Sequence, residues 1–486
     1  MSELRETLRS VAKRRKLSLS QLSALLGYSS ATSLSRIMQG NVRANTLADF
    51  YTRAQQTLEL TEEEKAALDG AVQLRLYGAE ALKEREAFRA WLLADRTAPP
   101  VLTVTDAEGQ DREPFLARYG NLPNLKMEIV NCAYPAFCSA VERLLDRPGT
   151  EAVQYLGGMK ENADYAHVLM LLQETLHHPN YRCFVDGADT APEPGRTAGL
   201  LGADLLLCSW DGDRGRRSEL LSLRDAETAI AVPLRDGEAV SALIRSQGAG
   251  TTPLKRDWPI LQTIGDYLAY TEDLRELEYN TETWDIKPDL CISYISPRIL
   301  RAALEEGPIP ADQLAPVIDT LAQQHARRYD NMMHKRKATH LLLKKDAMLQ
   351  FAMTGRTSDH FVGFRPYTPL ERMSILSTLL HQQLENRFFH VHFLRDDRSM
   401  PDNNLMIYGK NCITMVSRET HYDMNKAYSD VRLDLPAGFM EALQKYYIYV
   451  LVKELCVSEN ESVDFLMSLL SLVNAGGRSA SGEAPD

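Results

Sequence analysis

Hydroxyl and basic side chains are concentrated near the start of the chain, on either side of a glycine at position 27. Four hydroxyl residues and an arginine follow this glycine: Ser29, Ser30, Thr32, Ser33 and Arg36. Further basic residues stand before and after them: Lys13, Arg14, Arg15, Lys16 and Arg43. A hydroxyl group can donate or accept a hydrogen bond, and a guanidinium can form two parallel hydrogen bonds to a phosphate. These residue types favour a site that binds its partner through hydrogen bonds and positive charge.

The charge of the chain is unevenly divided. Up to Asn45, eight basic side chains stand against Glu3 and Glu6, which gives this segment a net charge of about +6. The whole chain of 486 residues carries −11, so the remainder carries about −17. A small basic segment joined to a large acidic remainder is typical of a DNA-reading part attached to a part with another task. A solvated basic face on the first helix is the alternative.

Several short helices are predicted in series at this end of the chain. Apolar residues at helical spacing predict a first helix that ends near Lys16. Ser18 and Gln21 form the pattern of a capping box at the start of a second helix, and Gly27 is placed to end it. Ser30 can cap a third helix.

A fourth and a fifth helix are predicted after Gly40, which closes the third. Asn45 is placed to cap the fourth helix, and Thr61 with Glu64 begins the fifth. A turn containing glycine between the second and third of several short helices is a specific arrangement.

The segment SLSQLSALLGYSSATSLSRIMQG, residues 18–40, resembles the Cro and lambda-repressor-like (XRE-type) helix-turn-helix family. The resemblance extends more loosely to about Leu68. It departs from the family pattern in a turn that is one residue longer, in Leu19 where a phosphate-binding glutamine is common, and in Ser23 where alanine is common. In that family the third helix lies in the DNA major groove and its N-terminal side chains read base edges.

Carried onto this sequence, the resemblance implies that the residues after Gly27 are the exposed positions of the third helix: Ser29, Ser30, Thr32, Ser33 and Arg36. Arg36 would bond guanine in bidentate fashion or clamp a phosphate. Basic side chains would flank the duplex and supply salt-dependent affinity: Lys13, Arg14, Arg15, Lys16 and Arg43.

The remainder of the chain is predicted to be of α/β type, because short apolar runs such as 126–130 and 229–234 alternate with helical patterns. The chain is therefore expected to be multidomain, with an all-α N-terminal domain before a large α/β part of one or two subdomains. The expected boundaries are residues 1–70 for the helix-turn-helix, 71–98 for a helical connector, 99–280 for an α/β domain, 281–474 for an α/β or α+β domain, and 475–486 for a disordered tail.

The remainder carries no convincing catalytic signature, and no catalytic residue, cofactor or metal site is predicted. His390 and His392 lie two apart on one face of an expected strand, which is compatible with a metal pair but favours a half-buried strand that carries histidines. The basic stretch from His325 to Lys345 is a possible second nucleic-acid contact, and a solvated helix face is the favoured interpretation. Two glycine-rich stretches, 155–160 and 246–255, lack the spacing of a phosphate-binding loop.

Seven scattered cysteines without a CxxC pair indicate neither a disulfide framework nor a zinc site, and they favour a reducing cytoplasm. No apolar run is long enough to span a bilayer, so no membrane partner is expected. The leading hypothesis is a sequence-specific DNA-binding transcription regulator, a homodimer on double-stranded DNA that senses a small-molecule or protein effector. The alternatives are an enzyme of nucleotide or phosphate chemistry with a DNA-targeting segment, and a protein-interaction module.

Overall fold

The computed structural model of the chain divides into two compact units, which we call the head (Met1–Ala87) and the body (Phe88–Asp486). The structure describes residues 3–480 except for residues 40–41, 94–100, 110, 133, 157–168, 170–171, 173–177, 179, 187–203, 214, 226, 248–250, 254–259, 262–263, 289, 309, 317, 358–364, 397–403, 411, 417–427, 434 and 436. The predicted combination of a helical N-terminal region with a large part of α/β character is confirmed.

The head is built from helices alone over the residues described. Its helices are α1 (Glu3–Arg14), α2 (Leu19–Leu25), α3 (Ala31–Gln39), α4 (Ala44–Thr57), α5 (Glu62–Tyr77) and the first part of α6 (Ala79–Leu92). Helices α1 to α5 share one core, in which Leu8, Leu34, Phe50 and Leu68 are completely buried. Helices as short as α2 and α3 are marginal in isolation, so this shared burial stabilises them.

Two of the sequence expectations for the head need correction. The fourth helix begins at Ala44 with Arg43 at its N-cap, two residues before the expected cap Asn45, and the Arg43 side chain makes no capping hydrogen bond. The fifth helix continues past residue 70, and Ala71 and Val72 are buried in the head core. Part of the expected connector 71–98 therefore belongs to the head, because its apolar side chains complete that core.

The first sheet of the body has nine described strands in the order β2-β1-β8-β7-β6-β3-β4-β5-β9. Its strands are β1 (Thr103–Thr105), β2 (Arg112–Pro114), β3 (Lys126–Val130), β4 (Glu151–Leu156), β5 (Tyr181–Asp186), β6 (Leu205–Gly212), β7 (Gly215–Leu223), β8 (Thr228–Leu234) and β9 (Thr251–Pro253). Strands β3, β4 and β5 run parallel, whereas β6, β7 and β8 form antiparallel pairs. Of the helices near this sheet, three have bounds within the described residues: α7 (Phe115–Tyr119), α8 (Pro135–Leu145) and α9 (Gly237–Gln247).

The second sheet of the body has seven described strands in the order β10-β16-β15-β14-β11-β12-β13. Its strands are β10 (Ile260–Leu261), β11 (Thr283–Ile286), β12 (Thr339–Leu343), β13 (Phe389–Phe393), β14 (Asn404–Tyr408), β15 (Cys412–Val416) and β16 (Tyr428–Leu433). Strands β11, β12 and β13 are parallel neighbours.

Eight α-helices belong to this part of the described chain, together with a 3-10 turn at Ile292–Tyr294 and two π-helical segments at Leu443–Tyr447 and Val450–Leu455. The α-helices are α10 (Ile264–Asn280), α11 (Pro297–Glu305), α12 (Ala311–Leu314), α13 (Ile318–His334), α14 (Lys345–Thr354), α15 (Pro369–Glu385), α16 (Ala437–Ala442) and α17 (Glu459–Ala480).

The boundary expected between residues 280 and 281 lies too late in the chain. Strand β10, at Ile260–Leu261, pairs with β16 and so already belongs to the second sheet. A two-residue strand gives almost no periodic signal, which explains why the sequence did not reveal it. At the other end, α17 continues to Ala480, so the first half of the expected disordered tail is helical. None of the helices described is long and apolar enough to cross a lipid bilayer.

A buried ionic cluster joins α10, β11 and α13 on one side of the second sheet. The Arg328 guanidinium donates to the Glu278 carboxylate at 2.7 Å, and Glu278 is completely buried. The Lys335 ammonium donates to the Glu278 and Thr281 carbonyl oxygens at 2.7 and 3.0 Å and to the Thr283 hydroxyl. Burial lowers the pKa of Lys335 to about 8.

This cluster corrects the interpretation of His325–Lys345 as a solvated helix face. Arg328 and Lys335 are buried, as is His325, whose ring nitrogen lies 2.8 Å from the Ile295 carbonyl oxygen. Arg327, in contrast, is exposed. The basic residues of the stretch therefore divide between internal partners and solvent.

We expect Arg328→Met to lower the free energy of unfolding of the body by about 3–5 kcal/mol, because it leaves the Glu278 carboxylate buried without its main partner. Urea unfolding followed by tryptophan fluorescence measures this effect in the body alone, since all four tryptophans lie there: Trp91, Trp210, Trp258 and Trp284. Arg327→Met is the matched control and should leave the midpoint within about 0.5 kcal/mol of the original. Equal midpoints for the two variants would contradict the assignment.

Candidate nucleic-acid interface

The turn between α2 and α3 is fixed by local hydrogen bonds. Ser18 and Gln21 form the predicted capping box at the start of α2. Gly27 has φ +74°, a left-handed conformation that favours glycine after a helix. The buried Ser23 hydroxyl donates to the Ser30 carbonyl oxygen at 2.7 Å. Ser23, a departure from the family pattern, therefore ties α2 to the residue that precedes α3.

Helix α3 presents a divided surface. Leu34, Ile37 and Met38 are buried in the head core, whereas Thr32 and Arg36 are exposed. Residues four apart lie on the same face of a helix, so Thr32 and Arg36 form one exposed edge.

The other predicted α3 positions differ from the expectation. Ser29 and Ser30 are exposed but precede the helix, which begins at Ala31. The Ser30 hydroxyl lies 3.2 Å from the Ser33 hydroxyl and accepts a hydrogen bond from the Ser33 amide, as a capping residue does. Ser33 is half-buried. These two hydroxyls already have partners within the chain, so Thr32 and Arg36 are the more available side chains.

The flanking basic residues fall into two groups. Lys13, Lys16 and Arg43 are exposed. Arg14, in contrast, forms a bidentate ion pair with Glu64 of α5, with nitrogen–oxygen distances of 2.5 and 2.6 Å. This guanidinium lowers the pKa of Glu64. Arg15 pairs with Glu59 at 3.0 Å. The structure thus places Arg14 and Arg15 in contacts with the α4–α5 region of the head.

Arg53 is a basic residue near the turn that the sequence analysis missed. Its guanidinium carbon lies 5.4 Å from the centre of the Tyr28 ring, which follows Gly27. Arg53 is exposed and belongs to α4. No local pattern could have associated it with the turn, because twenty-five residues separate Arg53 from Tyr28 and only the packing of α4 brings them together.

The two histidines considered in the body belong to a stack of aromatic rings across three parallel strands. The Trp284 and His340 rings are nearly parallel, with centroids 3.6 Å apart, and the His340 and His390 centroids are 4.7 Å apart. His340 Nδ1 lies 3.2 Å from His392 Nε2. The Trp284 indole donates to Glu282 at 3.0 Å. His340 and Trp284 were missed because strand pairing, not sequence spacing, makes them neighbours.

Two members of this stack, His390 and His392, have surroundings that favour the neutral ring. Burial, followed by the neighbouring imidazoles of His340 and His390, lowers the pKa of His392 to about 3. Burial and His340 also lower the pKa of His390. Among the described residues, no group of three or more histidine, cysteine or acidic side chains has the arrangement of a metal site. The stack therefore fits the interpretation of a half-buried strand that carries histidines.

Of the other sequence candidates in the body, most of the glycine-rich stretch 155–160 and five residues of the stretch 246–255 lie outside the described residues.

We expect Ser23→Ala to loosen the α2–α3 turn, because it leaves the Ser30 carbonyl without its side-chain donor. A lost bond of about 1 kcal/mol corresponds to about fivefold faster amide exchange in the affected segment. Hydrogen–deuterium exchange with mass spectrometry of peptides from residues 18–39 measures this change. Ser20→Ala, at an exposed position of the same helix, should not accelerate exchange. Unchanged exchange in Ser23→Ala would show that the bond does not hold the turn.

The histidine stack predicts that the body loses stability in acid. A histidine whose folded pKa is about 3 and whose unfolded pKa is about 6.5 contributes fully above pH 6.5 and loses that contribution as the pH falls toward 3. The slope is about 1.4 kcal/mol per pH unit for one such group. Urea midpoints from tryptophan fluorescence between pH 7.5 and 5 measure it. His392→Gln should flatten the dependence, whereas His381→Gln, at an exposed position of α15, should not; parallel curves for both variants would contradict the assignment.

Comparison with known proteins adds little information about this site. No family model matches the chain, and no curated protein matches it. Among solved structures, the chain is similar to a phosphatidylserine synthase from Haemophilus influenzae Rd KW20, at 9% sequence identity over 83% of this chain and 91% of that chain, with a TM-score of 0.24. A similarity at this level carries no argument about fold or activity, so the functional case depends on the residues of the head.

Proposed function

We propose that the chain is a sequence-specific DNA-binding transcription regulator in which α3 of the head enters the major groove. One observation carries the proposal. Helix α3 follows a fixed turn after α2, buries one side in the head core, and leaves Thr32 and Arg36 exposed on the other. A helix in this setting is the arrangement with which helix-turn-helix proteins read base edges.

The dimensions of α3 suit this role. The nine residues of α3 give a helix about 14 Å long. Its diameter of about 10–12 Å with side chains matches the width of the major groove, about 12 Å. Thr32 and Arg36 are separated by about 6 Å along the helix axis. Arg36 is the residue proposed to specify sequence, because a guanidinium can pair with both guanine acceptors in the groove. Thr32 can bond a base edge or pack its methyl group against thymine.

The exposed cations around α3 are proposed to contact phosphates. Lys13, Lys16, Arg43 and Arg53 are exposed on helices and turns adjoining α2 and α3. Phosphate contacts fix the orientation of a protein on the duplex and make its affinity depend on salt. Arg14 is a weaker candidate than its neighbours, because Glu64 already satisfies its guanidinium.

A homodimer is proposed because one head contacts too few base pairs for genomic specificity, and paired heads on a two-fold site are the usual solution. The body is the proposed seat of dimerisation and of response to a small-molecule or protein effector. The cytoplasm is the proposed compartment, because the seven cysteines are buried as free thiols.

Recovery and sequencing of genomic fragments bound by the full-length protein tests the proposal. We expect a two-fold motif enriched by the original chain and lost in Arg36→Ala. Binding to that motif should weaken by about 1–3 kcal/mol, or about five- to 150-fold, while affinity for unrelated DNA changes little. Lys83→Ala, an exposed residue of α6, is the matched control and should retain the motif.

Two results would refute the proposal as stated. If no motif is enriched at moderate salt, the chain does not bind DNA with sequence specificity. Enrichment of the same motif by Arg36→Ala with undiminished affinity would show that α3 does not read it.

A further inference from the structure

A concave basic site lies within the head, between α1, the segment that leads into α2, and α3. Its volume is about 360 Å³, at the lower end of the range of about 300–1,000 Å³ for small-molecule sites. Three cationic side chains of α1 line it: Arg5, Arg9 and Lys13. Ser35 and Gln39 of α3 add a hydroxyl and an amide. Apolar side chains complete the lining: Leu8, Ala12, Leu17, Leu19 and Met38.

The basic residues of α1 and its C-terminal turn form two groups, one with acidic partners and one without. Arg14 and Arg15 meet Glu64 and Glu59, which neutralise them. Arg5, Arg9 and Lys13 form no ion pair with any described residue, and no acidic side chain lines the site. The cavity is therefore lined by the three cations of α1 that have no acidic partner among the described residues.

The spacing of these cations is unfavourable for the helix alone. Arg5, Arg9 and Lys13 succeed one another at intervals of four residues, which places them in one row about 6 Å apart along the axis. Like charges at this spacing destabilise a helix. An anion in the cavity would compensate all three, and a phosphate has both the charge and the acceptors that arginine and lysine bind.

The apolar part of the lining indicates more than a bare anion. Leu19 is 39% exposed and Leu17 is half-buried, and both line the cavity together with Met38. Inorganic phosphate would gain nothing from such a wall, and a DNA backbone would meet the outer cations without filling the recess. A molecule with a phosphate at one end and a flat or apolar group at the other would use both parts.

We propose that this cavity binds a small organic phosphate, with the phosphate on Arg5, Arg9 and Lys13 and the apolar portion against Leu17, Leu19 and Met38. Ser35 and Gln39 would bond its polar edges. The binding site adjoins the proposed DNA-reading edge of α3 and shares Lys13 with the proposed phosphate contacts, and its regulatory meaning rests on the proposed function: an occupant would touch α3 through residues 35 and 39.

Isothermal titration of the full-length chain tests the proposal with four probes: adenosine 5′-monophosphate, phenyl phosphate, adenosine and inorganic phosphate. We expect at least one organic phosphate to bind ten or more times more tightly than either adenosine or inorganic phosphate. In the double variant Arg5→Gln/Arg9→Gln its affinity should fall tenfold or more. Lys83→Gln, an exposed lysine elsewhere in the head, should bind like the original chain.

The same titration with Arg9→Gln alone covers the case in which the double variant does not fold, because Arg9 is exposed. The proposal is overturned if neither organic phosphate binds more tightly than inorganic phosphate, or if the Arg5 and Arg9 variants bind it unchanged. A separate measurement of duplex DNA binding covers one more case. If no probe binds and the Arg5 and Arg9 variants bind duplex DNA more weakly than the original chain, the proposal is also overturned, because these cations would then contact the DNA backbone. No DNA is present in the titration, so its failure and the failure of Arg36→Ala to alter DNA reading are separate results.

Discussion

Fifteen buried apolar side chains form the core on which the head depends, and α1 to α5 each contribute to it. Helices of seven or nine residues do not persist alone in water, so α2 and α3 exist because this core fixes them. The same burial decides which side of α3 faces outward. Thr32 and Arg36 are available to a partner because Leu34, Ile37 and Met38 are held inward. Local order at the turn, through Ser23 and Gly27, then refines an orientation that the core has already set.

The sequence predicted what is encoded locally and missed what is assembled over distance. Capping boxes at Ser18 and Thr61 and the left-handed Gly27 could be foreseen, since each depends on residues within a few positions. The apolar runs 126–130 and 229–234 predicted β3 and β8, whereas the two-residue β10 and β12, which lies within the stretch 325–345 expected to be helical, were missed. The pairing of Arg14 with Glu64 was not, because fifty residues separate the two and α5 must pack on α1 before they meet. The stack of Trp284 and His340 required strand pairing in the same way.

The basic residues of this protein differ in whether folding gives them a hydrogen-bond or ion-pair partner within the chain. In the body, Arg328 and Lys335 are buried beside Glu278 and backbone carbonyls, although the sequence around them looks like an exposed basic stretch. In the head, α5 supplies the acid that holds Arg14, and Lys13, one residue earlier, has no acidic partner among the described residues. A count of basic residues therefore overstates the positive surface. The uncompensated positive charge belongs to the cations for which folding provides no acid.

Among the described residues, the buried core cluster of the head draws its side chains from residues 4–76. In evolutionary terms, recombination can join a segment with its own core to unrelated coding sequence without disrupting that core. The architecture of the body is then free to diverge while the same five-helix segment is retained. Descent of the two parts of this chain can accordingly follow different histories, and relatives of one part need not be relatives of the other.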